Sequence, residues 1–214
     1  MTVSAPLISK KVKAGQFIIL RIDEKGERIS LTVDDFDDIT EYNQLKVLKA
    51  FIKNGVSESS FAGSTGYGYD DRGREILESV MADCMGAEDA LMRHNFVSGT
   101  HTLTVALFGI LRPDDKVICL TGRPYDTITG VFGIDEKTDG SLADFGVQYH
   151  QVDLKADGTP DLEEIKNRLS QDDFKMAYIQ RSRGYSTRPT LTIDDIEVLC
   201  NIVKEVSPET GIMV

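Results

Sequence analysis

The chain has 214 residues, 41% of them hydrophobic and 28% charged, which suits one sizeable domain or a domain with an appendage and excludes a disordered chain. A formal net charge of -11 argues against a nucleic-acid or anionic-membrane surface, since either needs a basic face, and leaves small-molecule chemistry as the favoured class. No apolar run approaches the ~20 residues of a bilayer span and Met1-Thr2-Val3-Ser4 lacks a signal-peptide pattern, so the expected location is cytoplasmic.

In chain order, Gln16–Ile22 and Glu27–Val33 read as strands joined by the hairpin turn Asp23-Glu24-Lys25-Gly26. Ile39, Tyr42, Leu45, Leu48 and Ile52 fall at helical spacing before a stop at Gly55. After a Gly- and Ser-rich stretch, Asp70 and Asp71 should cap a helix that buries Ile76, Leu77, Val80 and Cys84 and ends at Gly86. Strand-like runs then follow at Ala90–Arg93, Val117–Leu120, Val147–Val152, Met176–Gln180 and Gly211–Val214. Helical segments at Gly99–Leu111, Asp161–Leu169 and Ile193–Val206 separate them, with starts signalled by Thr159-Pro160 and by Thr192 with Asp195. This alternation predicts an α/β fold with a mostly parallel sheet, right-handed crossovers and ligands at the carboxyl ends of the strands.

The candidate chemistry lies in turns. Phe96-Val97-Ser98-Gly99-Thr100-His101 opens a helix with free backbone N–H groups, hydroxyls and the positive end of the helix dipole, a cup for one anion. Alone, such a turn more often only caps its helix. Tyr125, after the strand at 117–120, is placed to stack on a planar cofactor or to pack over the strand end. Arg181 and Arg183 follow the strand at 176–180, where arginines suit a carboxylate or phosphate. Tyr67, Tyr69 and Arg72 sit in a Gly-rich loop that lacks the preceding strand and glycine spacing of a dinucleotide site. The turn from Asp153 to Gly158 departs from a calcium loop at Lys155, and His94, His101 and His150 form no metal set or triad, so no metal is expected. Cys84, Cys119 and Cys200 read as reduced core thiols.

Residues 38–214 resemble the aluminium-resistance family, similar to cystathionine beta-lyase and methionine gamma-lyase among fold-type I pyridoxal phosphate enzymes. The match is carried by Glu41-Tyr42-Asn43-Gln44, Thr65-Gly66-Tyr67-Gly68-Tyr69-Asp70-Asp71, the 96–101 turn, Arg123-Pro124-Tyr125-Asp126-Thr127 and Gln180-Arg181-Ser182-Arg183-Gly184-Tyr185-Ser186. The resemblance implies part of a fold-type I large domain in which Ser98, Gly99 and Thr100 hold the phosphate of pyridoxal phosphate and Tyr125 stacks on its ring. It implies that Tyr67, Tyr69 and Arg72 reach a neighbouring subunit's phosphate in a homo-oligomer, and that Arg181 and Arg183 meet the amino-acid substrate. The implied activity is elimination from a sulfur amino acid, with the cofactor as electron sink on a Schiff-base lysine. No lysine within the matching region stands in a comparable setting, so the 214 residues are expected to be an inactive fragment of a carbon–sulfur lyase, without a catalytic residue of their own.

Residues 1–37 instead resemble the first barrel strands of ferredoxin–NADP reductase-like flavin subunits, through Gly15–Arg21 and Arg28-Ile29-Ser30-Leu31-Thr32. They cannot close such a barrel alone. The expectation is therefore a short β-hairpin segment joined to a truncated large domain, a chimera or gene-model artefact with its junction near residues 35–38. A flavin-binding electron-transfer fragment and a non-catalytic domain that binds a partner chain are the alternatives.

Overall fold

The computed structural model describes residues 16–20, 29–33, 38–64, 67, 71–136 and 138–214, and the chain divides into two compact units, Met1–Arg93 and His94–Val214.

In the N-terminal unit, β1 (Gln16–Leu20) and β2 (Ile29–Val33) pair antiparallel, from Gln16 opposite Val33 to Leu20 opposite Ile29. Helix α1 (Asp38–Lys53) packs against α2 (Arg72–Met85). Asn54 donates to the Asp83 carboxylate at 2.8 Å, and Lys53 pairs with it at 2.6 Å. Asp71 caps α2, accepting from the Arg74 N–H, and Gly86 ends it in the left-handed conformation. Two expectations fail here. Leu77 is 47% exposed rather than buried, and the α1 residues Ile39, Tyr42, Leu45, Leu48 and Ile52 are exposed as well. Ala90–Arg93 forms no strand; Glu78 fixes it instead, accepting from the Met92 N–H at 3.0 Å and pairing with the Arg93 guanidinium.

The C-terminal unit is an α/β layer structure. Its strands β3 (Lys116–Cys119), β4 (Gln148–Gln151), β5 (Met176–Tyr178) and β6 (Gly211–Met213) form a sheet of order β4-β3-β5-β6. All three pairings are parallel. Along β3 the side chains alternate between two cores, as the period of two requires. Ile118 and Leu120 pack with Ile165, Leu169, Leu199 and Val203 of α5 (Leu162–Gln171) and α6 (Ile193–Val206). Val117 and Cys119 pack with Leu107 of α3 (Gly99–Ile110) and with Ile128 and Phe132 of α4 (Asp126–Phe132). Each fully buried aliphatic side chain of this kind contributes about 1.5–3 kcal/mol, so the sheet holds the loops at its carboxyl edge in fixed positions.

The predicted start at Thr192 is realised as a reciprocal cap with Asp195. The start at Thr159-Pro160 is not. Asp157 accepts from both the N–H and the hydroxyl of Thr159, so Thr159 is committed to the turn and Asp161 caps α5 two residues later. Among the described residues no helix is long and apolar enough to cross a membrane.

Candidate functional site at the carboxyl edge of the parallel sheet

Ser98 caps α3: its hydroxyl oxygen accepts from the His101 N–H at 3.1 Å. Capping therefore occupies the His101 donor and leaves the N–H groups of Gly99 and Thr100, the first two of the helix, without an intrahelical acceptor. A methyl group placed at Gly99 would meet nothing within 4 Å. The space beside Gly99 is therefore open, and a helix start with unsatisfied N–H groups and the positive end of its dipole suits an anion.

The cup is tied to the loop after β3. The Thr100 and Thr127 hydroxyls lie 2.8 Å apart in one hydrogen bond, and Thr127 is the second residue of α4. Tyr125 immediately precedes that helix, with its N–H donating to Gln180 Oε1 at 2.8 Å. Gln180 follows β5 and is fixed on several sides. Its N–H donates to Thr121 Oγ1 at 3.1 Å, its amide nitrogen donates to the Ser182 carbonyl at 3.0 Å, and the Tyr178 hydroxyl donates to its Oε1 at 3.2 Å. The Tyr125 ring stacks loosely with Tyr185, centroids 6.4 Å apart and planes 26° apart. Asp126, and after it Tyr185, push the Tyr125 phenol above its ordinary value, so it stays neutral at pH 7.

Two cavities share Tyr125, Gln180, Ser182 and Tyr185. One, of about 370 Å³, also takes in Arg123, Leu154, Arg183 and Arg188. The other, of about 430 Å³, also takes in Leu103, Tyr178, Arg181 and Val214. The Thr100–Thr127 bond joins the 98–100 turn to the segment that begins at Tyr125, while Ser98, Gly99 and Thr100 are not among the described residues lining either cavity; Arg181 and Arg183 each border one of the cavities. Tyr67 and Arg72 belong to the N-terminal unit, both exposed, and Tyr69 lies outside the described residues. Three contributors were not assigned a role from sequence: Thr127, Gln180 and Arg188. A glutamine directly after an apolar strand was the only local signal, and it is a weak one.

A parallel sheet of order β4-β3-β5-β6 with helices on both faces is the architecture of part of a fold-type I large domain, over the residues that these elements cover. The sequence matches the methionine gamma-lyase family over residues 20–214, and the chain belongs to that family. It is 42% identical over 172 residues to YnbB of Bacillus subtilis, an uncharacterized protein, covering 80% of this chain and 41% of that one.

Among solved structures, a carbon–sulfur lyase involved in aluminium resistance from Clostridium novyi NT is 47% identical with a TM-score of 0.78. A candidate cystathionine beta-lyase involved in aluminium resistance from Clostridium acetobutylicum is 46% identical with a TM-score of 0.79. Each likeness covers 82% of this chain and 42% of the other, so the chain spans less than half the length of these relatives. The pyridoxal-5'-phosphate-dependent protein YhfS of Escherichia coli, 17% identical with a TM-score of 0.55 over 76% of this chain and 41% of its own, shares the fold. A stretch of 33 residues, 15% of this chain and 12% of the other, is 52% identical to a homologue of the electron transfer subunit of dihydroorotate dehydrogenase B from Thermotoga maritima.

The donor set suits pyridoxal phosphate. Two unengaged N–H groups and the Thr100 hydroxyl at a helix start match a phosphate dianion, and the half-buried Tyr125 ring nearby in the chain of hydrogen bonds offers a face for a pyridine ring.

Proposed function

We propose that this chain forms the phosphate- and ring-binding part of a pyridoxal phosphate-dependent carbon–sulfur lyase acting on a sulfur amino acid of the cystathionine or methionine type. The observation that carries the reading is that two bonds fix the segment 125–127 at the sheet edge: the Thr127 hydroxyl meets that of Thr100 in the cup, and the Tyr125 N–H donates to Gln180. When bound, pyridoxal phosphate supplies an electron sink that lets an amino acid lose a proton and then a sulfur leaving group. The chain's own residues bind and orient. Gly99, Thr100 and Ser98 take the phosphate, Tyr125 covers the ring, and Arg181 and Arg183 take the substrate carboxylate. Tyr67, Tyr69 and Arg72 are assigned to a second subunit's phosphate in a homo-oligomer, in the cytoplasm.

We infer further that these 214 residues alone release no product, because among the described residues those lining the two cavities include Arg123, Arg181, Arg183 and Arg188 but no lysine to tether the cofactor. Equilibrium dialysis of the purified chain should show saturable pyridoxal phosphate binding, weakened tenfold or more, roughly, by Thr100→Val or Tyr125→Ala. Added cystathionine or methionine should yield no pyruvate or oxoacid. Absent binding, or variants that bind as the unaltered chain does, overturns the cofactor reading; turnover overturns the inactivity.

A separate reading takes residues 1–37 as a flavin-subunit segment joined to residues 38–214; the 33-residue likeness to the Thermotoga subunit supports it, and the methionine gamma-lyase match, which begins at residue 20, counts against that boundary. Flavin fluorescence from the purified chain would support it, and colourless protein after flavin addition and gel filtration would remove it.

A further inference from the structure

Arg188 is the one charged side chain that is buried among the described residues, at 8% exposure. No carboxylate pairs with it there. Its guanidinium instead donates to backbone carbonyls. Nη2 reaches the oxygens of Gln180 at 2.7 Å, Ser182 at 3.0 Å and Arg181 at 3.3 Å, and Nη1 reaches that of Pro189 at 3.3 Å. A buried cation without a counter-ion costs several kcal/mol unless dipoles replace its hydration. Here three consecutive carbonyls do so, which they can only by curling the 180–182 backbone around the guanidinium. Lysine does not substitute, because its nitrogen stands one bond short of Nη2, which takes the three carbonyls of the curl, and it has no second arm for the Pro189 carbonyl.

The backbone of Arg188 is itself pinned. Gly158, in the turn after β4, has φ +81°, and a Cβ there would stand 2.9 Å from Pro189 Cδ and 3.3 Å from Arg188 Cβ. The turn and the arginine therefore approach as closely as a glycine permits. On the other side, the residue whose carbonyl Arg188 holds most tightly is Gln180, whose side chain accepts the Tyr125 N–H. Beyond it the same loop carries Arg181, Arg183 and Tyr185, and Arg183 Nη1 donates to the Arg188 carbonyl at 3.5 Å.

We propose that Arg188 is the positioning residue of this site: by gathering the carbonyls of residues 180–182 it sets the Gln180 side chain, and through it the placement of Tyr125. The identity of the ligand rests on the function proposed above; the clamp itself does not. Arg188 acts on the ring-binding side of the site and makes no hydrogen bond to the Ser98-Gly99-Thr100 cup, which is joined to the Tyr125 segment through the Thr100–Thr127 bond, so ring affinity should fall while phosphate affinity, set by the α3 N–H groups, holds.

The test uses the full chain with Arg188→Lys, Gln180→Ala and the double variant. Hydrogen exchange at the Tyr125 amide and equilibrium dialysis with pyridoxal phosphate and, separately, inorganic phosphate are the readouts. Arg188→Lys should speed Tyr125 exchange and weaken pyridoxal phosphate about tenfold each, with phosphate affinity unchanged. Gln180→Ala should do the same, and the double variant should be no worse than the worse single. Gly158→Ala, which displaces Arg188 without altering its guanidinium, should shift both readouts in the same direction and serves if Arg188→Lys yields no folded chain. A lowered melting temperature with unchanged Tyr125 exchange and unchanged ring affinity overturns the proposal, as does additivity in the double variant. Failure of the unaltered chain to bind pyridoxal phosphate refutes the proposed function, while the exchange measurement still decides the clamp.

Discussion

Gly184→Ala probes the Tyr125 ring directly. Gly184 has φ +55°, and a Cβ built there would lie 2.7 Å from Tyr125 Cε2 and closer still to Cδ2. Unstrained carbon contacts are about 3.5–4.0 Å, so ring and loop must separate by about 1 Å. The Tyr125 backbone resists, because its N–H is held by Gln180; rotation of the ring is the soft response. The left-handed conformation adds about 1–2 kcal/mol for alanine, and one kcal/mol moves the melting temperature by about 2–4 °C in a chain of this size. Thermal unfolding should thus shift down by about 2–8 °C. Loss of one aromatic stacking contact, about 0.5–1.5 kcal/mol, should weaken pyridoxal phosphate roughly 2- to 12-fold in dialysis. In a Tyr125→Ala background the steric part should vanish and only the backbone cost remain. A melting temperature unchanged by Gly184→Ala, with unchanged affinity, would refute the account of the ring's position.

Thr192→Ala removes the hydroxyl half of the α6 cap, leaves the backbone N–H of residue 192 donating to the Asp195 carboxylate, and should cost about 1 kcal/mol in urea unfolding; an unchanged midpoint would show that the hydroxyl adds nothing. Burial raises the Cys119 thiol above its ordinary range, so mass-resolved alkylation of the folded chain should spare Cys119 while Cys84 and Cys200, only partly buried, react first. His150 has its Nδ1 3.1 Å from the Arg168 guanidinium and its Nε2 buried without a partner. Burial, and after it Arg168, hold its pKa below the ordinary 6.5, with Lys116 acting the same way and Asp172 opposing. The unfolded chain therefore takes up this proton first: the contribution of neutral His150 is complete above 6.5 and is lost as pH falls from there toward the folded value. His150→Gln should flatten the decline of stability just below pH 6.5, and an identical decline would exclude His150 as its source.

The parallel sheet and most helices are legible in the sequence because their signals are local: short runs with apolar residues between turns and helices for β3 to β6, and caps such as Thr192 and Asp71 that need only a few neighbouring residues. Helix α4 was not legible. Its Thr-Ile-Thr-Gly run has little helix propensity, and the helix forms because Ile128 and Phe132 are buried against β3. Ala90–Arg93 failed for the opposite reason, having strand composition but no ladder partner. The apolar spacing of α1 specified a helix correctly but could not say what lies against its face. At the site, the Ser98 helix cap was readable from turn chemistry and the position of Tyr125 from the apolar strand before it, whereas Gln180 and Arg188 act by bonding backbone that sequence patterns do not display.

The connectivity of the sheet also sets when the site comes into being. Strand β3 pairs with β4 and β5, which arrive only after long intervening segments, so these ladders close large loops and carry a high contact order. Each loop bordering the cavities follows a strand of this sheet: 121–126 after β3, Leu154 after β4 and 180–185 after β5. Helices α2 and α6, closed by their own caps, can form early, but no ring pocket exists until the last register is set. Ligand affinity here is accordingly a readout of completed folding, and substitutions far from Tyr125 that slow strand docking will delay the appearance of binding in refolding experiments without changing its final strength.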